Sequence, residues 1–336
     1  MLRRYFTAAI VLITGLILLI LIWPQLFGLQ RTAGIAHLVS FRGAVLGALG
    51  IAVLVLFFVS VLTPAWRRLA AAVAVLLIAG AVFQGVVLAS RGVGNVGFQR
   101  ASENTVSVLA WNTLGDAPRA ETVAQLALDT EADIVVLPET SAPFGLAVQE
   151  AMGSAGRPMQ AFTVSYDQVS KARSTTVLIA ESLGEYAVNH DEPSSSVLPS
   201  VVARPVDGSG PTIVGVHLVA PLPGEFDNWR SDLEWMAAVC SDPNVILAGD
   251  FNSTIDHFTG LGNGRATLGD CTDAAGATKN AAVGTWPTAL PALFGAPIDH
   301  IMSTPNWTVT GMRVIENYDG FGSDHRPVLA QLFPAE

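Results

Sequence analysis

The first hundred residues hold eight arginines but no lysine, aspartate or glutamate, so all 28 acidic residues of the 336-residue chain lie beyond position 100. The arginines separate three uncharged stretches, Tyr5 to Gln30, Gly43 to Trp66 and Leu69 to Ser90, each at least 22 residues long. A helix needs about 20 apolar residues to cross the hydrocarbon core of a bilayer, because it rises only about 1.5 Å per residue. Residues 1–92 therefore read as an anchor of three transmembrane helices, near 5–23, 44–62 and 69–89. A cleavable signal peptide is the rival reading for the first stretch. Its apolar run from Tyr5 to Trp23 is 19 residues, longer than a usual signal core, and two further spans follow it.

Beyond position 100, ten basic residues face 28 acidic ones, a formal charge of −18. A wholly soluble protein is excluded by the first part. A broad nucleic-acid-binding surface is disfavoured by the second, because a polyanion meets long-range repulsion there. Arg3, Arg4 and the amino terminus fall on the same side of the membrane as Arg67-Arg68, with Arg31, Arg42, Arg91 and Arg100 on the other. The tight Arg67-Arg68 pair in a short loop favours a cytoplasmic position for that side. The C-terminal domain then lies outside the cytoplasm. Cys240 and Cys271 fit either one disulfide, in an oxidising compartment, or two buried thiols. Neither has zinc-like spacing.

Residues 93–103 carry glycine and asparagine without clear periodicity and read as a linker. Residues 104–336 read as one domain with a single large core. Thr105–Trp111, Ile134–Leu137, Thr175–Ala180, Val197–Arg204, Thr212–Val219, Val245–Ala248, Ile298–Ser303 and Val328–Leu332 are short, rich in Val, Ile and Leu, and bounded by turn residues, which predicts strands. Several are apolar throughout and should be buried on both faces. Helical spacing marks Arg119–Thr130 and Phe226–Val239. This many strands form two packed sheets more naturally than one open sheet.

Polar residues recur at the strand ends: Asn112; Glu139 in Pro138-Glu139-Thr140; His217; Gly249-Asp250-Phe251-Asn252; Asp299-His300; and Ser323-Asp324-His325. Loops on a rigid sheet are where function usually resides. Carboxylates suit a hard, oxygen-seeking cation, and an Asp–His pair can activate water. Taken singly, each has a plainer reading: a solvated cap for Glu139, a satisfied core histidine for His217, a local turn for Asp250 and Asn252. Their order along the chain carries more weight than any one of them.

That ordered set, above all Gly249-Asp250-Phe251-Asn252 and Ser323-Asp324-His325, resembles the endonuclease/exonuclease/phosphatase superfamily over roughly Thr105 to Phe333. The resemblance implies a four-layer α/β sandwich with two mixed β-sheets, here preceded by the three transmembrane helices. It implies a Mg²⁺ site, open to Mn²⁺ as a substitute, with Glu139 as principal ligand, helped by Asn112 and Asp324. Asp299 and His325 would orient or deprotonate the attacking water, while His217 and Asn252 would hydrogen-bond the phosphoryl oxygens. Asp250 would be catalytic. Leu114 departs from the pattern, since many nucleases of the superfamily carry an acidic residue at that place.

Arg173, His257 and Trp286 are further candidates for substrate contact, with a solvated loop arginine, a turn cap and a buried tryptophan as their plainer readings. The expected function is membrane-anchored, metal-dependent hydrolysis of a phosphoester, with a lipid-linked or cell-envelope phosphate favoured by the acidic charge. An extracytoplasmic nuclease acting on DNA or RNA is the alternative, and a non-catalytic binding module is a third reading.

Overall fold

The computed structural model describes residues 2–94, 98, 104–167 and 169–335, with side chains from Tyr5 onward. Most of the expected linker, including Arg100, lies outside the described residues, as do the side chains of Arg3 and Arg4. The N-terminal part consists of α1 (Leu2–Ile22), α2 (Ile35–Ser40), α3 (Arg42–Leu62) and α4 (Arg67–Arg91). Three of these, α1, α3 and α4, are long and apolar enough to cross a bilayer. Leu12, Leu54, Phe57 and Val82 stand exposed along them, as expected of helices whose apolar surface has no protein cover. Both α1 and α3 pack on α4.

The remaining strands and helices are β1 (Val106–Ala110), α5 (Ala120–Asp129), β2 (Ile134–Pro138), α6 (Ala142–Ser154), β3 (Met159–Ser165), β4 (Ser174–Ala180), β5 (Tyr186–Val188), β6 (Val201–Pro205), β7 (Thr212–His217), α7 (Phe226–Val239), β8 (Val245–Asp250), β9 (Thr272–Asp273), α8 (Ala274–Ala277), β10 (Asp299–Ser303), β11 (Trp307–Val314) and β12 (Val328–Pro334). They build two six-stranded sheets, ordered β11-β12-β1-β2-β4-β3 and β5-β6-β7-β8-β10-β9. Each sheet is mixed: β1 runs parallel to β2, and β7 to β8, among antiparallel neighbours.

Strand alternation sorts the core into layers, since successive side chains point to opposite faces. On β2, Ile134 and Val136 enter the core between the sheets, while Val135 and Leu137 face Val123, Leu126, Val148 and Met152 of α5 and α6. On β8, Ile246 and Ala248 point inward, while Val245 and Leu247 face Trp229, Leu233 and Met236 of α7. Strands buried on both faces need apolar residues at every position, which is why these read as uninterrupted runs.

Four strands that the sequence did not suggest, β3, β5, β9 and β11, are the two edges of each sheet. Edge strands are only half covered, so their apolar signal is weak; Gln160 to Val164 of β3 are all only partly buried. The helix α6 was also unmarked, because Pro143, Gly145 and Gly153 interrupt its pattern. The expected strand from Val197 starts only at Val201. Ser194 and Ser195 hold the preceding stretch irregular by hydroxyl bonds to Ser200 O and Ser200 Oγ. Cys240 and Cys271 form a disulfide, with Cα atoms 5.5 Å apart, which decides between the two readings left open above.

The N-terminal helices are fixed to the sandwich by side chains as well as by chain connection. Asp256, just past β8, accepts from Arg42 Nε at 2.8 Å and Nη2 at 2.7 Å, and from Arg91 Nη2 at 2.7 Å. Gln25 donates to the same carboxylate, and Arg42 Nη1 donates to Gln84 Oε1 at 2.7 Å. Arg31 Nη1 donates to the carbonyls of His257 and Thr259. Ala36 of α2 is buried in the α7-side core.

Candidate active site

Both sheets deliver their polar residues to the same end. Asn112 follows β1, Glu139 follows β2, His217 and Asp250 are the last residues of β7 and β8, Asp299 is the first of antiparallel β10, and Asp324 and His325 precede β12. The parallel pairing of β7 with β8 sets His217 opposite Asp250, and the antiparallel pairing of β10 with β8 sets Asp299 opposite the same residue. Gly249 has φ +137°, and a Cβ there would lie 2.1 Å from Val216 O. Only glycine fits the bend that aims Asp250 inward.

Asn112 Nδ2 bridges the two sheets, donating to Glu139 Oε1 at 3.1 Å and Asp250 Oδ2 at 3.0 Å. The Leu114 N–H donates to Asn112 Oδ1 at 2.9 Å and fixes the amide orientation. Asp250 also receives the Asn252 N–H at 2.9 Å. His325 Nδ1 pairs with Asp299 Oδ2 at 2.9 Å, leaving Nε2 3.8 Å from Asp250 Oδ2 and 3.9 Å from Asp324 Oδ1. That ring nitrogen thus faces a gap between two carboxylates. His217 Nε2 lies 3.9 Å from Glu139 Oε1.

The electrostatics follow from crowding acids and imidazoles out of water. Burial alone would lower the His325 imidazole, but Asp299, Asp250 and Asp324 outweigh it and push the group up to about 10. Burial raises Asp250 against the opposing pull of His325, and it raises Glu139 against the Asn112 hydrogen bond. His217, buried beside His325, is pushed down to about 3 and stays neutral. Perturbation of this kind, by desolvation plus specific partners in a cleft, marks functional groups.

The donor set suits a divalent cation. Glu139, Asp250, Asp299 and Asp324 crowd four carboxylates together, and Asp324 Oδ1 and His217 Nδ1 are buried without partners. Asp250, Asp299 and His325 offer ligand atoms within 4.8 Å of one another. Oxygen-rich donors of this type fit Mg²⁺ or Mn²⁺.

The three further candidates part ways. Trp286 Nε1 donates to Asp324 Oδ2 at 2.8 Å, and its ring lies 6.4 Å from that of His325, so it walls the site. Arg173 precedes β4, whose Thr175 is paired with Pro138, and so lies at the rim near Glu139. Its guanidinium is engaged by Asp167 at 3.3 Å. His257 turns away from the site. Its Nδ1 accepts the Thr254 N–H at 2.8 Å, capping the turn, and Nε2 pairs with Ala36 O of α2 at 3.1 Å. It belongs to the contact with the N-terminal helices. His300, also fully engaged, bonds Asp273 and Ser253 O beneath the site.

The structure adds residues that sequence reading passed over. Ser323 Oγ donates to Asn112 O at 2.6 Å and accepts the His325 N–H at 3.0 Å, tying the Asn112 and His325 strand ends together. Trp111 Nε1 donates to His325 O at 2.9 Å. Buried Arg326 donates to Gly284 O and Leu290 O and so holds the Trp286 segment in place. Ser323 stood inside a motif already marked. Arg326 continues the same motif, Ser323-Asp324-His325-Arg326-Pro327, but its residue type alone gave it no role.

Two mixed sheets face to face, helices outside and a carboxylate–imidazole cluster at one end define a four-layer α/β sandwich with a hydrolytic type of site. The endonuclease/exonuclease/phosphatase family model matches residues 109–325, and the chain belongs to that family. Members of its superfamily are phosphoester hydrolases and generally depend on a divalent metal. Among solved structures, an endonuclease/exonuclease/phosphatase from Beutenbergia cavernae is similar at 18% identity and a TM-score of 0.53, covering 69% of this chain and 72% of its own. D. rerio TDP2 complexed with a single-strand DNA product is similar at 19% identity and a TM-score of 0.52, covering 68% and 99%. These likenesses concern the fold. No curated protein matches the chain significantly.

Proposed function

We propose that the chain is a membrane-anchored, Mg²⁺-dependent phosphohydrolase, with residues 104–336 as its catalytic domain and a lipid-linked or envelope phosphoester as substrate. The observation that carries this reading is the meeting of Asn112, Glu139, His217, Asp250, Asn252, Asp299, Asp324 and His325 at one end of both sheets. Glu139, Asn112 and Asp324 would hold the cation, which supplies a positive charge to polarise the phosphoryl group and offset the surrounding carboxylates. That charge would also oppose the extra proton on His325, leaving Nε2 to accept one. Asp299 fixes the imidazole through Nδ1, so Nε2 orients or deprotonates the attacking water. His217 donates to the phosphoryl oxygens as negative charge develops, and Asn252, whose Nδ2 donates to Leu218 O at 2.8 Å and Asp250 Oδ2 at 3.3 Å, would turn one of these bonds over to them. Asp250, which accepts from Asn112 and stands 3.8 Å from His325 Nε2, acts catalytically beside them.

The lipid-linked substrate is supported by the −18 charge beyond position 100 and by the tight seating of the domain on the N-terminal helices. The nuclease reading draws on two cations near the rim, Lys171 and Arg173. Both are paired, with Asp116 at 3.0 Å and Asp167 at 3.3 Å, and so offer little net positive charge to a polyanion. An extracytoplasmic placement is supported by the disulfide and by the Arg67-Arg68 loop, at the opposite ends of α3 and α4 from the sandwich.

The test is hydrolysis by the full chain in nanodiscs, with Mg²⁺, with Mn²⁺ and with a chelator. The panel comprises lipid phosphates, lipid diphosphates, sphingomyelin, sugar phosphates and plasmid DNA. Metal-dependent turnover of a lipid phosphoester that is lost in His325→Ala is expected. Turnover of DNA alone would favour the nuclease, and no turnover at all would favour a binding module.

A further inference from the structure

No charged residue occurs between Lys279 and Asp299, although the chain beyond position 100 is otherwise rich in acids. The middle of that segment carries Leu290, Leu293 and Phe294, which are 38%, 49% and 43% exposed. Large apolar groups exposed side by side mark a contact surface. Two close approaches say what lies beside them. A Cβ at Gly43, in the first turn of α3, would sit 1.7 Å from Leu293 O, so only glycine admits this contact. A Cβ at Gly47 would lie 3.8 Å from the Phe294 ring. Gly47 stands four residues along α3 from Gly43, about 6 Å further along its axis. The segment therefore descends beside the apolar run of a helix that is long enough to cross a bilayer.

The other end of the segment is in the active site. Phe41, immediately before α3, lies 6.0 Å from the Trp286 ring, and Trp286 lies 6.4 Å from His325 and donates to Asp324. The base of the segment is rigidly tied to the catalytic strand ends. The Thr288 N–H donates to Asp324 O, the Arg326 N–H donates to Thr285 O, and the Arg326 guanidinium holds Leu290 O.

We infer that Thr285–Gly295 is the membrane-facing entrance of the site. Its apolar tip, Leu290, Leu293 and Phe294, lies in the outer layer of the bilayer that α3 crosses. Its base, Trp286 with Phe41, walls the path by which the phosphoester of an amphiphilic lipid reaches Asp324 and His325. The occupant of the exposed face is one leaflet of the bilayer. An acidic domain is repelled by anionic headgroups, and this uncharged segment is the part that approaches them without that cost. The inference rests on the lipid-phosphate reading above and adds the route.

Two measurements test it. In Leu293→Cys the new thiol is the only free one, because Cys240 and Cys271 are joined. An environment-sensitive fluorophore attached there, with the full chain in phosphatidylcholine nanodiscs, should shift to shorter wavelength and be quenched by doxyl-labelled lipid. The same label on Val206→Cys, beyond the opposite end of the sheet from His217, should do neither. A water-like, unquenched signal at position 293 would overturn the inference, as would a signal that depends on protein concentration, which would assign the face to a second copy.

In the second measurement, Leu293→Ser/Phe294→Ser should lower kcat/KM for lipid phosphate incorporated in the same bilayer as the full chain about ten-fold, from the lost apolar contact. Turnover of water-soluble bis(p-nitrophenyl) phosphate should remain within about two-fold of the parent. A parallel fall on both substrates, or no fall on lipid, would overturn the entrance. If the parent protein cleaves the soluble ester and no lipid, the lipid-phosphate reading itself falls, and the quenching result still decides whether the tip meets the bilayer.

Discussion

Asp250 and Asp256 stand six residues apart in one segment and are almost equally buried, yet their surroundings treat their charge in opposite ways. Burial would raise both. At Asp256, Arg42 and Arg91 reverse the effect and hold the carboxyl well below the usual range, with Gln25 adding a hydrogen bond. At Asp250, burial prevails over His325 and the carboxyl is raised, with Asp299 adding to the effect. A buried carboxylate with its charge balanced by two guanidiniums is a fastening. A buried carboxylate left among other carboxylates is a site waiting for positive charge.

The comparison predicts that the two residues fail differently. Asp250→Asn should lower turnover by about a thousand-fold, within the usual range for removing a group of the acid–base machinery, and leave the melting temperature unchanged or raised, because a costly buried charge has gone. Turnover and thermal melting of the full chain in nanodiscs measure both effects. A melting temperature that falls with activity would make Asp250 a fastening too. His325→Ala should match it in activity, and retained metal-dependent turnover there would remove the assigned chemistry altogether.

Asp256→Asn should do the reverse. Leaving Arg42 and Arg91 buried without their shared partner should cost about 3–5 kcal/mol, or roughly 10 °C in melting temperature for a domain of this size. The folded fraction should keep its soluble-substrate turnover within a few-fold. An unchanged melting temperature would show that the helices and the sandwich do not depend on this contact.

The smallest effect concerns pH. His257, in the Asp256 contact, is pushed down to about 4 by burial, from an ordinary value of 6.5. Between those values the unfolded chain binds a proton there that the folded protein does not. Its contribution is therefore complete above pH 6.5 and is lost as pH falls toward 4, at about 1.4 kcal/mol per pH unit. Asp256 adds no slope in this window, because its folded-state value is lowered and its contribution is lost only below the ordinary 3.8. Melting temperatures measured from pH 7 to 4.5 should therefore fall less steeply in His257→Gln than in the parent. Equal slopes would place the His257 imidazole in water.

Some of this was legible from residue order alone. The inner strands β1, β2, β7 and β8 could be read because burial on both faces demands unbroken apolar runs. The eight polar residues proposed for the site could be picked out because each stands at or just beside a strand end. The edge strands β3, β5, β9 and β11 could not, since a half-covered strand has no strong pattern. His257 misled because proximity to Asp250 in sequence says nothing of direction: its ring points toward α2.

The sequence by itself determined the division into an apolar, acid-free first part and an acidic second part, the alternation that layers the core, and the polar residues at the strand ends. Those properties are local, set by composition and by periods of two or about 3.6 residues. Only the tertiary structure decided which acids are fastened and which are left poised, because a carboxylate's state depends on charges brought near it from distant segments. Arg42 lies more than two hundred positions before Asp256, and no local pattern links them. The same holds for Gly43 against Leu293, the contact that turns an uncharged stretch toward the N-terminal helices.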